Sequence, residues 1–356
     1  MSTVRIHAGP MAAVLAGFAL VGAAYAAGQG QAFVTNQQGG VSVIDLATLE
    51  VTATFDVAAK GPRGLGVTDD GRWLVTANMG NENISVVDTA TGALVRQIAI
   101  GKNPEFVRVL GTTAYVTYEP SPSTGGGPST GGTKAAVSKD DKDDNDRVPG
   151  HIAVVDLKSG KTVLDIVGKP ETEGMEFTRD GSKLVVTNES DNSLSVLDAA
   201  SGRVLQSVSV AKYGERPRGI KASPDGSIYV VTLEMSGKML VFDDKLQFVR
   251  EVATGKGPYG VSFDQSGKFV FVAANKEKTL QVFDVATWEK RKDIPTGDRC
   301  WHFSFTPDER QILLACGKSN EVVVIDTSTL EVTKRIGGLK IPWGIVTFPR
   351  SRGSID

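Results

Sequence analysis

The chain has 356 residues, 40% of them hydrophobic, with 40 glycines and 15 prolines, enough for a large core and for many tight turns. Its formal net charge of -2 excludes a chain-wide basic footprint for nucleic acid.

Residues 1–26 read as an export signal: Arg5 supplies a positive start, Met11 to Gly22 is apolar, and Ala24-Tyr25-Ala26 is a small-x-small cleavage site. The competing readings are a membrane anchor or a buried strand, but the run is short for a bilayer. The expectation is a soluble periplasmic protein with no membrane span.

After the signal the chain opens on a strand, Ala32-Phe33-Val34-Thr35-Asn36, followed by Val41-Ser42-Val43-Ile44 ending at Asp45. Aspartates end comparable runs at Asp88, Asp156, Asp198, Asp243, Asp284 and Asp326, spaced 41 to 45 residues apart except for one interval of 68. The clearest unit, Gly174 to Val210, holds four short runs of β-branched or alternating residues separated by turns such as Arg179-Asp180-Gly181 and Ala199-Ala200-Ser201-Gly202. That is a four-stranded antiparallel meander, strands A to D, and a period near forty marks a β-propeller. Seven aspartates predict seven blades. The chain closes on an A-type strand, Pro342 to Phe348, so one blade should join this last strand to the first three and close the ring. The expected propeller spans 32–350 as one domain.

The repeated residues have structural explanations. The strand C aspartates can accept backbone N–H bonds and fix the C–D turns. Gly71, Gly181, Gly226 and Gly267 end A–B turns where positive φ is needed, and Glu309 replaces them in blade 7.

Phe33-Val34-Thr35-Asn36, Val185-Val186-Thr187-Asn188, Pro217-Arg218-Gly219 and Ser223-Pro224-Asp225-Gly226 resemble the YVTN-type β-propeller repeat. With the seven repeats, the export signal and Ile341-Pro342-Trp343-Gly344, the chain is similar to propellers associated with pyrroloquinoline quinone (PQQ)-dependent alcohol catabolism. That resemblance implies an accessory role beside a periplasmic quinoprotein dehydrogenase or a transport system, with PQQ held only by the partner enzyme. A long insertion and a cysteine pair depart from the family pattern.

The insertion, 119–150, lies between strands B and C of blade 3. Pro120 to Gly132 contains only Ser, Thr, Pro and Gly and reads as a flexible arm. In the acidic run that follows, Asp141, Asp143 and Asn145 match the start of a calcium loop. Asp146 and Ile152 then stand where such a loop needs glycine and glutamate, so a solvated acidic segment is the favoured reading.

In a meander the D–A and B–C loops share one face. Alignment on the A–B turns places Arg63, Glu105, Glu173, Arg218, Tyr259, Trp301 and Trp343 in one ring at the central mouth of that face. Two arginines, two carboxylates and three aromatics suit a small planar or acidic ligand, or a partner's side chain. The alternative is that these residues merely plug the tunnel. Cys300 and Cys316 should face each other across the blade 7 hairpin, as a disulfide or as free thiols. His302, two residues from Cys300, raises a third option, a Cys/His metal site.

Only His151 and His302 remain in the mature chain, and no nucleophile triad, phosphate loop or dinucleotide fingerprint has credible spacing. A metal-dependent lactonase could use Glu105 and Glu173 with Asn78 and Asn188, although those asparagines recur as repeat residues. The expectation is a non-enzymatic, monomeric binding propeller. The rivals are such a hydrolase or an oxidoreductase subunit, and a surface or single-stranded-DNA binder, nucleic acid being the less expected partner.

Overall fold

A computed structural model describes residues 30–119 and 148–356. The expected export segment and the Asp141, Asp143 and Asn145 run lie outside the described residues.

The described chain is all β, arranged as seven four-stranded antiparallel sheets. Blade 1 is the closing blade, ordered Pro342–Phe348, Gln31–Asn36, Val41–Asp45 and Glu50–Phe55. Its seam pairs Phe33 with Val346 and Val34 with Ile345. Blades 2 to 7 each run in sequence order from an inner strand A to an outer strand D. In blade 5, strand A (Pro217–Ala222) is buried throughout, whereas strand D (Phe248–Ala253) is largely exposed. The blades therefore bury their faces against one another and leave only their outer edges in water. Strand B of blade 3 ends at Tyr118 and strand C starts at His151, which brackets the insertion.

The Val-Thr-Asn repeat explains how neighbouring blades lock. The Thr35 hydroxyl accepts the Gly344 N–H of its own blade at 3.0 Å and donates to the Arg63 carbonyl of the next at 2.6 Å. Thr187 does the same with Gly174 and Arg218, at 2.8 and 2.9 Å, and Thr232 with Gly219 and Tyr259, at 2.9 and 2.8 Å. Each threonine thus satisfies buried backbone groups on two adjacent A strands. Those strands approach so closely that glycine is required: a Cβ at Gly174 would lie 2.2 Å from the Arg218 oxygen, and one at Gly219 would lie 2.3 Å from the Tyr259 oxygen.

The asparagine of the motif stays inside its blade. Asn188 Nδ2 donates to Ser195 Oγ at 3.0 Å, and Asn78 Nδ2 to Ser85 Oγ at 2.9 Å. The strand C aspartates hold the C–D turns. Asp45 accepts the N–H groups of Ala47 and Thr48 at 3.0 and 2.8 Å, and Asp326 those of Ser328 and Thr329 at 2.9 and 2.8 Å. Glu309 occupies its turn with φ 56° and accepts the Gln265 N–H at 2.9 Å, which compensates for the missing glycine.

Candidate functional site

Arg63, Glu173, Arg218, Tyr259, Trp301 and Trp343 are each the second residue of an A strand, whereas Glu105 precedes the blade 3 strand Val107–Leu110 by two residues. Arg63 Nη1 lies 2.8 Å from Glu105 Oε2, while Arg218 Nη1 approaches Glu105 Oε1 at 3.7 Å and Glu173 Oε2 at 3.5 Å. Arg218 also donates to the Tyr259 hydroxyl at 2.7 Å, and its guanidinium sits 4.5 Å from the centre of that ring. Trp343 stands edge-on to Tyr259 with ring centres 6.5 Å apart. Trp301 turns onto the blade 7 B–C loop, where a Cβ on Gly317 would strike its ring.

These seven side chains lie inside the protein. All are buried, Arg63 being the most exposed at 7% and Trp343 and Glu173 the least at 1%. The arginines expected to receive an acidic ligand are instead engaged by carboxylates of the protein. Directly beneath them, Phe106 and His302 enter the axis. His302 lies 4.4 Å from Trp343, 5.2 Å from Tyr259 and 5.3 Å from Phe106, measured between ring centres.

A second ring escaped the sequence alignment. Glu189 pairs with both Arg216 and Arg218, and Arg218 Nε lies 3.2 Å from Glu234 Oε2. The Glu119 carboxylate accepts the Thr172 N–H at 2.8 Å. Glu119, Glu189 and Glu234 each directly follow strand B, in three successive blades. That column of glutamates was the available signal. Burial pushes Glu119 up to about 8 and Glu189 up to about 7, despite the arginines that oppose the shift at Glu189. Glu173 is raised as well, again by burial first.

Cys300 and Cys316 sit directly opposite across the blade 7 hairpin and are joined, with S–S 2.04 Å. The proposed Cys/His metal grouping is not assembled, because the register shift between Cys300 and Phe303 turns His302 onto the axis, away from the sulfurs. Nor do the lactonase-type residues gather: Arg218 stands between Glu105 and Glu173, and Asn78 and Asn188 serve their own blades.

Among the described residues, an open space lies at the opposite end of the axis. A cavity of about 640 Å³ is bounded by Pro224, Gln265 and Pro307 of the A–B turns and by the tail after the last strand. The tail folds back along the axis. Ser354 Oγ accepts the Phe303 N–H and meets His302 Nδ1, both at 3.0 Å, and Ile355 is buried. Lining the cavity are three charged strand A residues, Arg108, Glu176 and Lys221.

The family model for YNCE-like β-propellers matches residues 15–114 and 262–352. The chain belongs to the YNCE-like β-propeller family. The model of the cytochrome D1 heme domain matches residues 147–297 of this YNCE-like propeller. No curated protein matches it. Among solved structures it is similar to the Kuenenia stuttgartiensis hydrazine synthase, with TM-score 0.70 and 21% identity over 83% of this chain and 92% of that one. A putative 6-phosphogluconolactonase from Bacteroides uniformis gives TM-score 0.69 and 17% identity over 90% and 99%. Dihydro-heme d1 dehydrogenase NirN in complex with DHE gives TM-score 0.59 and 19% identity over 88% and 65%. At these identities the structural likeness shows a shared fold.

Proposed function

We propose that this YNCE-like propeller is an exported, non-enzymatic binding protein that serves a PQQ-linked alcohol oxidation through a partner dehydrogenase or transporter. The observation that carries the non-enzymatic part is the axial network itself. Arg218 contacts Glu105, Glu173, Glu189 and Glu234 at once, so the charged ring cross-braces three blades. Groups held this way stiffen a scaffold and present no nucleophile or base to a substrate. The pathway rests on the resemblance to PQQ-associated propellers.

The test uses the purified mature chain with a quinoprotein alcohol dehydrogenase from the same source. Co-elution, or a change in dehydrogenase turnover, is expected. Stoichiometric bound metal together with lactone hydrolysis by the chain alone would overturn the reading.

The heme domain match supports a second reading, in which the axis holds a macrocycle. The residues present do not fit one: His302 is enclosed by Phe106, Tyr259 and Trp343, and His151 Nδ1 lies 3.1 Å from Asp165 in a D-strand pairing.

A further inference from the structure

The cavity beside the tail is built differently from the mouth. Arg108 and Lys221 reach it from the A strands of blades 3 and 5, 9% and 4% exposed, and share the carboxylate of Glu176 in blade 4 between them: Arg108 Nη2 and Lys221 Nζ lie 3.0 and 3.1 Å from the same Glu176 oxygen. Two buried cations on one acceptor leave donor capacity over. Arg108 Nη1 is buried and meets no acceptor among the described residues. Lys221 gives a further hydrogen bond to a main-chain oxygen of Asp356, and Arg350 Nη2 stands 3.9 Å from the Asp356 side-chain carboxylate. Arg352 lines the same space.

A guanidinium fork and a lysine converging on one cavity favour a planar or tetrahedral oxyanion, because charge-assisted hydrogen bonds from buried donors are stronger than those made in water. About 640 Å³ leaves room for a small organic acid, not only an inorganic ion. We propose that this tail-side cavity binds a small anion bearing a carboxylate or phosphate group, held by Arg108, Lys221 and Arg352. The site is independent of the mouth-side ring and of any partner enzyme.

The electrostatics agree with the geometry. Burial first, then the neighbouring Arg108, push Lys221 down to about 8. An arriving anion would favour the charged lysine, so binding should weaken as pH rises through that value.

The test is calorimetric titration of the full mature chain with inorganic phosphate and, separately, with succinate. Saturable binding of either supports the proposal, and their relative affinity tells phosphate from carboxylate. Arg108→Gln and Arg352→Gln should each weaken binding about tenfold, as loss of one charge-assisted contact predicts. Arg352→Gln lies at the cavity rim and keeps the test open if Arg108→Gln does not fold. Lys238→Gln, a surface change on blade 5, should leave affinity unchanged. Absence of saturation by both anions at millimolar concentration would overturn the proposal. So would binding that neither arginine variant alters.

Discussion

Arg218 lies against Tyr259 in two ways, donating to its hydroxyl at 2.7 Å while its guanidinium sits 4.5 Å from the ring centre. The tyrosine thereby fixes the position from which one arginine reaches the carboxylates of several blades. Removing the guanidinium strands Glu173 and leaves Glu189 with Arg216 alone, both carboxylates being at 1% exposure. Breaking a buried pair from one side costs about 3–5 kcal/mol. Arg218→Ala should therefore lower unfolding stability by about that amount in urea titrations, and an added Glu189→Leu should recover part of it.

The mouth glutamates set an alkaline sensitivity. Glu119 and Glu189, pushed up to about 8 and about 7, hold protons in the folded state that the unfolded chain releases near its ordinary carboxylate value. Their contribution is fully present below pH of about 4.5 and is lost as pH rises through 7 and 8. The melting temperature should fall over that interval, and Glu119→Gln should flatten the slope. An unchanged profile in Glu119→Gln would remove this account.

The turn aspartates act in the opposite direction. Hydrogen bonds from Thr178 and Ser223 hold Asp180 and Asp225 down to about 2. Folded values below the unfolded one give stability that is present above pH of about 4 and lost as pH falls toward 2. Asp225→Asn should remove part of the acid-induced loss, as read by circular dichroism between pH 5 and 2, on the order of the titration range of these carboxylates.

The Cys300–Cys316 bridge closes a loop with a sequence separation of 16. A loop of that length is worth about 3 kcal/mol through the unfolded chain. Cys300→Ser with Cys316→Ser should lower stability by about 2–3 kcal/mol, and the parent protein should show the same loss after reduction. Mass spectrometry under non-reducing conditions checks the bridge directly.

Gly219 tests the blade contact. A Cβ there would lie 2.3 Å from the Tyr259 oxygen and 3.0 Å from Thr232 Oγ1. The backbone must shift, so Gly219→Ala should cost about 1–3 kcal/mol in thermal or chemical unfolding.

The seven-bladed ring, its closing seam and the meeting of Arg63, Glu105, Glu173, Arg218, Tyr259 and Trp343 could be read from the sequence, whereas the turn of Trp301 onto the Gly317 loop could not. A local alternation and a forty-residue period force each blade to bury its faces on its neighbours. Glu119, Glu189 and Glu234 were legible in principle as a column after strand B, yet their alliance with Arg216 and Arg218 was not. Period fixes where a side chain starts, whereas ion pairing depends on where long side chains from different blades end.

The same limit hid the cavity. Arg108, Glu176 and Lys221 were visible only as single charges further along their A strands than the ring residues Glu105, Glu173 and Arg218. Their meeting, and the tail that folds back toward them, depend on contacts as distant as Lys221 with Asp356, a sequence separation of 135. The sequence by itself determined the architecture, because blade formation is governed by short-range periodicity and turn chemistry. Only the tertiary structure decided that the mouth-side arginines are engaged by carboxylates of the protein and that a cavity lies at the tail side, because side-chain packing around an axis is a property of all seven blades together.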